Sequence, residues 1–358
     1  IVVAVETHPG MFIRFHKGED GVLKQKIEPE TFEIVVENVS DEEFEAMKPT
    51  LVAPFRYLEE KLFSFRIFQT PAAKYLFYNI HHSIFDGESM HILLTDIERA
   101  YQGMPLEPEK DSFCNLAAEE AAIRLTPIYA EAREGFRASF SNAPRTLFLE
   151  NAGSATLSLE YANLQTRAGE ALSFCESAGI TMNALTTAAF AFVLGRCTDS
   201  NDVVLGSQYS GRGDGRSANM VGSFAKPIPL RFRWNDNDSV DNFLHNAGEV
   251  LRDNIKNSIY KFLDLKQDGL FTSQIQFVYQ DLIDREPVLC GHRSKEVVFQ
   301  TNQTPSTMVV NVFRDVENDS LKLRFAYRED LFEKEFIDRM ISEYDKTLAR
   351  FISGAKEL

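Results

Sequence analysis

A chain of 358 residues with 44% hydrophobic and 25% charged content has the composition of an ordinary globular protein, long enough for one large or two medium domains. The formal charge of −15 argues against nucleic acid as a partner and gives no general attraction for an acidic protein, which has to meet a local patch instead. No apolar run approaches the roughly 18 residues of a membrane span, and no signal-peptide pattern is present, so no membrane contact is expected. Cys114, Cys175, Cys197 and Cys290 are widely spaced, with no CxxC pair or Cys/His cluster of the kind that holds zinc. Scattered cysteines in a chain this large read as reduced and cytoplasmic. The apolar opening Ile1-Val2-Val3-Ala4-Val5 reads as a piece of a longer polypeptide, entered inside or just after a helix.

His8-Pro9-Gly10 predicts a turn and Met11 to Phe15 a short strand, which returns through a hairpin turn at 18–21 into Lys24 to Ile27. Ser40 with Glu43 three residues on is a capping-box signature and predicts a helix over 41–47. Residues 54–68 lead into a strand, and the aromatic-rich run 74–80 predicts another. From Glu88 to Tyr101, the residues Met90, Leu93, Leu94, Ile97 and Tyr101 recur at helical spacing. One long alanine-rich helix with an internal Pro127 is predicted over 115–140. Residues 141–155 carry Asn, Pro, Gly and Ser without a sustained period and read as a linker, which divides the chain into 1–145 and 146–358. Beyond it, strands at 156–161, 202–208, 274–279, 297–300, 308–314 and 321–327 are interspersed with helices at 165–178, 181–196, 242–257 and 333–352. The fold class is α/β (α+β).

The stretch that concentrates chemistry is His81-His82-Ser83-Ile84-Phe85-Asp86-Gly87, where a strand gives way to a helix. Neighbouring side chains on a strand point to opposite faces, so one histidine is expected to face a cleft and the other to pack. Imidazole is the natural base at neutral pH, provided its ring and tautomer are fixed. Asp86 can supply that order by touching a ring or by pinning the loop, and Gly87 permits a backbone angle that other residues resist. The plain alternative is two core histidines and an aspartate capping the helix. Adjacent histidines on opposite faces are poorly placed to chelate one ion, so no metal is expected. Gly211 to Gly215 follows a strand but opens no helix, which argues against a phosphate loop. His8, His16, His91, His245 and His292 stand alone and read as surface or structural.

The seven-residue string resembles the HHxxxDG signature of nonribosomal peptide synthetase condensation domains and of the wider chloramphenicol-acetyltransferase-like acyltransferases. Residues 54–68 are similar to the family's PFDLExGPLxRxxL segment, 182–212 to its TxxxxLxAAxAxxLxRxTGxxDVVxGxxxxGR run, and 219–231 to its MVGxFxNxLPLR run. Residues around His8 resemble RHxxLRTxF, but the two arginines of that pattern fall on Thr7 and Phe12. An arginine there commonly pairs with the motif aspartate, and Arg14, two positions on and on the same strand face, is the candidate partner of Asp86. Only the family's first strand and most of its first helix have no counterpart.

The resemblance implies two chloramphenicol-acetyltransferase-like lobes forming a V-shaped pseudo-dimer with a central channel. It implies amide formation between a donor aminoacyl or peptidyl thioester and an acceptor aminoacyl amine. Both ride on the phosphopantetheine arms of peptidyl carrier proteins, beside neighbouring synthetase domains, and the domain itself binds no cofactor. His82 is then the base or the positioner of the amine, and the backbone N–H near Gly87 is a possible oxyanion contact. His81, Asp86 and Arg14 are structural, and Arg212, Gly222 and Ser223 are substrate-channel candidates, with Arg212 equally readable as a loop anchor. Two other readings stay open: an acyltransferase of the same superfamily making an ester or using a free acceptor, and a catalytically silent interaction domain. Epimerisation domains usually continue the motif with a Ser-Trp-Arg-like run, whereas Glu88-Ser89-Met90-His91 follows here. Heterocyclisation domains replace the histidines with aspartates, and both histidines are intact.

Overall fold

The computed structural model describes residues 1–144, 157–235, 237–271, 273–280, 287–297, 299 and 306–358. A short helix, α1 (Val2–Glu6), leads through a 3-10 turn at Pro9–Phe12 into the antiparallel hairpin of β1 (Ile13–Lys17) and β2 (Leu23–Ile27), with Ile13 opposite Ile27. β3 (Val35–Asn38), β4 (Phe63–Gln69) and β5 (Lys74–Ile80) form a three-stranded sheet in that order, β3 parallel and β5 antiparallel to β4. Before β4 lies α2 (Asp41–Leu51), opened by the predicted capping box: Glu43 N–H donates to Ser40 Oγ at 3.1 Å and Ser40 N–H to the Glu43 carboxylate at 2.7 Å. The amphipathic α3 (Gly87–Tyr101) follows β5 and buries Ser89, Leu93 and Ile97. The single helix predicted over 115–140 is two, α4 (Phe113–Ile123) and α5 (Pro127–Phe140). Pro127 has no N–H with which to continue a helix, and it sits at the first position of the second, where none is needed.

The later elements are β6 (Leu157–Arg167), α6 (Ala168–Ala178), α7 (Met182–Thr198), β7 (Asp202–Tyr209), β8 (Lys226–Arg233), α8 (Val240–Asn257), α9 (Phe262–Gln267), β9 (Ile275–Gln280), a two-residue hairpin of β10 (Val288–Leu289) and β11 (His292–Arg293), β12 (Met308–Asp315), β13 (Ser320–Arg328) and α10 (Lys334–Ile352). Six strands make one mixed sheet in the order β6-β13-β12-β9-β7-β8. β9 runs parallel to β12 and β7, and the other pairs are antiparallel. The helix predicted from 165 starts at Ala168 because β6 stays extended to Arg167, where it pairs with Ser320. Residues 145–155 of the predicted linker lie outside the described residues. Of the strand predicted at 297–300, Val297 and Phe299 are described and are not in a strand.

Two compact units follow from the contacts, and they do not divide the chain at 145/146. One comprises Ile1–Ala122, Ser210–Ala225 and Glu286–Gln300; the other Ile123–Tyr209, Lys226–Arg285 and Thr301–Leu358. The cause lies in packing. Phe136 and Phe140 of α5 bury against Val204, Tyr260 and Leu265, which puts α5 with the six-stranded sheet rather than with the elements before it. Conversely, Val221 is buried among Met11, Phe12, Leu62, Phe63 and Leu93, which draws 210–225 into the first unit. The second unit's core centres on α7, whose run from Ala184 to Gly195 is entirely buried against residues of the sheet, α8 and α10. That explains why its sequence is apolar on every side rather than on one.

Gly195 lies in α7 where a Cβ would come 2.4 Å from the Trp234 ring and 2.5 Å from the Ser200 carbonyl oxygen. Gly195→Ala is expected to destabilise the second unit by about 1–3 kcal/mol, since neither the indole nor the backbone can give way cheaply. Denaturant unfolding followed by Trp234 fluorescence checks this, and a wild-type midpoint in the variant would contradict it.

Candidate functional site

β5 ends at Ile80, and the next four residues turn: His81 N–H donates to Leu62 O at 2.8 Å and Ile84 N–H to His81 O at 3.1 Å. The two histidines therefore sit on a turn, and it is the turn rather than strand alternation that separates them. His81 is half-buried, its ring 5.3 Å from that of Tyr57 and 6.2 Å from that of Phe55. Burial, and secondarily the neighbouring His82, hold its pKa below the usual imidazole value. Neutral His81 accepts from Ser83 N–H at Nδ1, 3.1 Å away, which leaves the proton on Nε2. His82 is exposed. Of the pair, the first histidine is packed and the second is exposed.

Asp86 is buried and caps α3. Its Oδ1 accepts from Ser89 N–H at 2.8 Å, and Ser89 Oγ lies 2.7 Å from it. Its Oδ2 accepts from the backbone N–H groups of Phe224 at 2.9 Å and Ala225 at 3.3 Å. The charge partner is Arg212, whose Nη2 is 3.0 Å from Oδ1. Both side chains are almost wholly withdrawn from water, at 4% and 3% exposure. Burial raises the Asp86 carboxyl, but the guanidinium and the Ser89 and Phe224 donors outweigh it and bring the pKa below the usual carboxylate range.

Arg14, the expected partner, is engaged elsewhere. Its guanidinium bonds the Glu30 carboxylate and donates to Glu59 O at 3.0 Å, on the β1–β2 hairpin side of the unit. Arg212 fills the place because it has more to hold there. Its Nη1 donates to the carbonyls of Ser217 at 2.8 Å and Met220 at 2.7 Å, closing the 210–225 segment on itself. Its Nη2 also reaches Ser89 Oγ at 2.9 Å, Nε lies 3.4 Å from the Glu88 carboxylate, and its face covers the Phe224 ring at 4.3 Å. These contacts are those of a loop anchor. Gly222 is likewise tied in: its N–H donates to Ser89 Oγ at 3.0 Å, and its C=O lies 2.8 Å from the same oxygen. A Cβ on Gly222 would meet the Phe113 ring at 2.4 Å, so only glycine lets the segment close here. Ser223, beside it, is half-buried.

Gly87 is the first residue of α3, and its φ is not positive. The expected need for a special backbone angle is therefore not met. An added Cβ would touch nothing within 4 Å, so what glycine provides is an open approach to the backbone at the start of the helix. Asp86 touches no histidine ring; it pins the loop through α3 and the 210–225 segment. Sequence reasoning missed Ser89, the hydroxyl at the centre of this network. The signal was present, because a residue three after an N-cap aspartate donates its backbone to that side chain. Among the described residues no group of three or more His, Cys, Asp or Glu side chains could hold a metal, and the four cysteines are free thiols.

A family model, the condensation domain, matches residues 2–357. The chain belongs to the condensation-domain family. Surfactin synthase subunit 1 of Bacillus subtilis (strain 168) is 24% identical over 316 residues, which are 80% of this chain and 9% of that protein. The chain thus spans about a tenth of that relative's length. The condensation domain from Monacolin K polyketide synthase MokA superposes with a TM-score of 0.85 at 17% identity, over 99% of this chain and 88% of that one. The epimerization domain from the third module of tyrocidine synthetase B does so with a TM-score of 0.79 at 18% identity, over 98% and 86%. The fold is therefore the chloramphenicol-acetyltransferase-like one expected, and proteins with different reactions in their names share it. No single described helix is long and apolar enough to cross a membrane.

Asp86→Ala should cost about 3–5 kcal/mol, because it leaves Arg212 buried without its counter-charge. Since folding depresses the Asp86 pKa, its contribution is complete above the ordinary carboxylate range and is lost as pH falls through the folded-state titration. Asp86→Asn should flatten that part of the acid limb in a plot of melting temperature against pH. Wild-type stability in Asp86→Ala would remove the assignment.

Proposed function

We propose that this condensation domain joins a donor aminoacyl or peptidyl thioester to an acceptor aminoacyl amine, each delivered on the phosphopantetheine arm of a carrier protein. The observation that carries the reading is an intact His-His-x-x-x-Asp-Gly loop, in a chain matched end to end by the family, whose buried members are engaged in architecture while His82 stays exposed. A thioester is already activated, so the protein's work is positioning and proton management; holding two tethered reactants in contact supplies several kcal/mol. The acceptor nitrogen attacks the donor carbonyl carbon, and the carbonyl electrons move to oxygen. His82 takes the proton released from the amine or orients the amine through a hydrogen bond. The backbone N–H near Gly87, at the exposed start of α3, suits the developing oxyanion. Collapse of the intermediate forms the amide and expels the pantetheine thiolate, which leaves as thiol with the proton. Neighbouring synthetase domains and a cytoplasmic setting belong to the same proposal.

The run Glu88-Ser89-Met90-His91 after the motif favours condensation over epimerisation. Ser89 and Glu88 are engaged with Gly222 and Arg212, so these positions act in holding the loop. The test is a single-turnover assay with both carriers loaded. His82→Ala should lower the amide-forming rate roughly a hundredfold or more if the ring moves the proton, and by less, varying with the acceptor, if it only positions the amine. His81→Ala, checked separately for folding, should act through loop stability. An unchanged rate in His82→Ala would remove the catalytic role and leave tethering alone or a silent interaction domain. Product formed with a free acceptor in place of a loaded carrier would favour the broader acyltransferase reading.

A further inference from the structure

Both hydrogen bonds of the His81 ring fall on one nitrogen. Nδ1 lies 3.1 Å from the backbone nitrogen of Ser83 and 2.8 Å from Ser83 Oγ, and Nε2 takes part in neither bond. A backbone N–H can only donate, so the Ser83 amide needs a bare Nδ1. Ser83 Oγ alone could accept from a protonated Nδ1, but that proton would stand against the amide hydrogen of the same residue, and the amide would lose its acceptor. A ring turned over, with carbon in place of Nδ1, would leave both Ser83 groups facing a C–H. With Nδ1 bare, the lone pairs of nitrogen and Oγ would oppose each other at 2.8 Å unless the Ser83 O–H also points at the ring, so the hydroxyl donates too. Its oxygen is then left to accept from the phenol of Tyr57, with which it is hydrogen-bonded. Burial pushes the Tyr57 pKa up, which keeps the proton on that phenol. The Tyr57 ring is also 5.3 Å from the His81 ring, and the main chain of His81 is tied to Leu62 O at 2.8 Å. All of these residues belong to the first unit.

We propose that Ser83 is a positioning residue: with Tyr57 it locks His81 as the tautomer protonated on Nε2. The only lone pair of the ring is thereby spent on the turn, and His81 cannot take a proton from a substrate without displacing the Ser83 amide hydrogen. Of the two histidines, His82 is the one left free to do so, a consequence that rests on the amide-forming reading. The lock itself is a property of the turn and stands whether or not the chain forms amides. It gives two adjacent and chemically identical rings different work. It also fixes the turn that carries His82, so Ser83 acts on the reaction through that turn.

The test is nitrogen-15 NMR of the whole chain labelled in histidine, at about pH 7.5, where an exposed ring is mostly neutral. His81 is assigned as the ring signal missing from His81→Gln or, if that variant does not fold, by its nuclear Overhauser contacts to the Tyr57 ring. The expected result is a bare Nδ1 and a protonated Nε2, with no averaging between tautomers. Ser83→Ala and Tyr57→Phe should each move the Nδ1 signal toward the averaged position of an exposed ring, and Ser83→Thr, which keeps the hydroxyl, should not. In the single-turnover assay with both carriers loaded, Ser83→Ala should lower the amide-forming rate about tenfold, part of the roughly hundredfold that an ångström of misplacement can cost, and Ser83→Thr should stay near the wild-type rate. A proton on Nδ1 of the wild-type ring, or averaged tautomers there, overturns the lock. An unmoved Nδ1 signal together with a wild-type rate in Ser83→Ala overturns the role of Ser83. The spectrum reads the lock without any carrier present, so failure of the lock and failure of the amide-forming reading are told apart.

Discussion

The first unit depends on one buried carboxylate finding enough donors. Asp86 has been taken out of water, and a bare charge in that position would be costly by several kcal/mol. The structure meets the cost with a guanidinium, a hydroxyl and three backbone N–H groups converging on two oxygens. Those donors come from two stretches of chain more than a hundred residues apart, as the 126-residue separation of Asp86 and Arg212 records. The carboxylate is therefore a joint, and the geometry of the histidine turn before it is inherited from that joint.

On the proposed reaction, this arrangement separates architecture from chemistry within seven residues. Ile84 is fully buried and Asp86 nearly so; His81 is packed against aromatic rings; His82 and Gly87 remain open. A loop in which every residue was engaged would have nothing to offer a substrate. One in which none was engaged could not hold an imidazole to the tolerance that proton transfer needs. Alternation of roles along the turn satisfies both demands with a short segment.

Much of this was legible in the sequence, and the misses have physical causes. Capping at Ser40/Glu43, the apolar helix at 182–198 and the motif loop are local signals, and local signals survive without coordinates. Proline at 127 was visible, but placing it inside one helix rather than at the start of a second joined two helices that are separate. Arg14 was chosen for Asp86 because it lies near a family position. Arg212 was legible as a channel candidate or a loop anchor but not as the partner of Asp86, since nothing in a one-dimensional string says which distant cation meets a buried acid. His8 looked isolated for the same reason: the side chains its ring meets, Asp96 and Glu109, lie 88 and 101 residues away. The linear boundary at 145/146 misassigned α5 and the 210–225 segment because hydrophobic burial, not proximity along the chain, decides where an element belongs.

The 210–225 segment leaves the end of β7 at Tyr209 and rejoins the sheet at Lys226, two residues that face each other across a strand pair. It is an excursion lent by one unit to the other, and it has a consequence in time. When the chain is made from its N-terminus, the first unit's leading stretch is finished at Ala122, but Arg212 emerges roughly ninety residues later. At ribosomal speeds that is a delay of several seconds or more, during which Asp86 has its own helix cap and no counter-ion. The first unit is thus a late-closing body: its carboxylate gains its counter-ion only with the excursion, and its last stretch, Glu286–Gln300, is made later still.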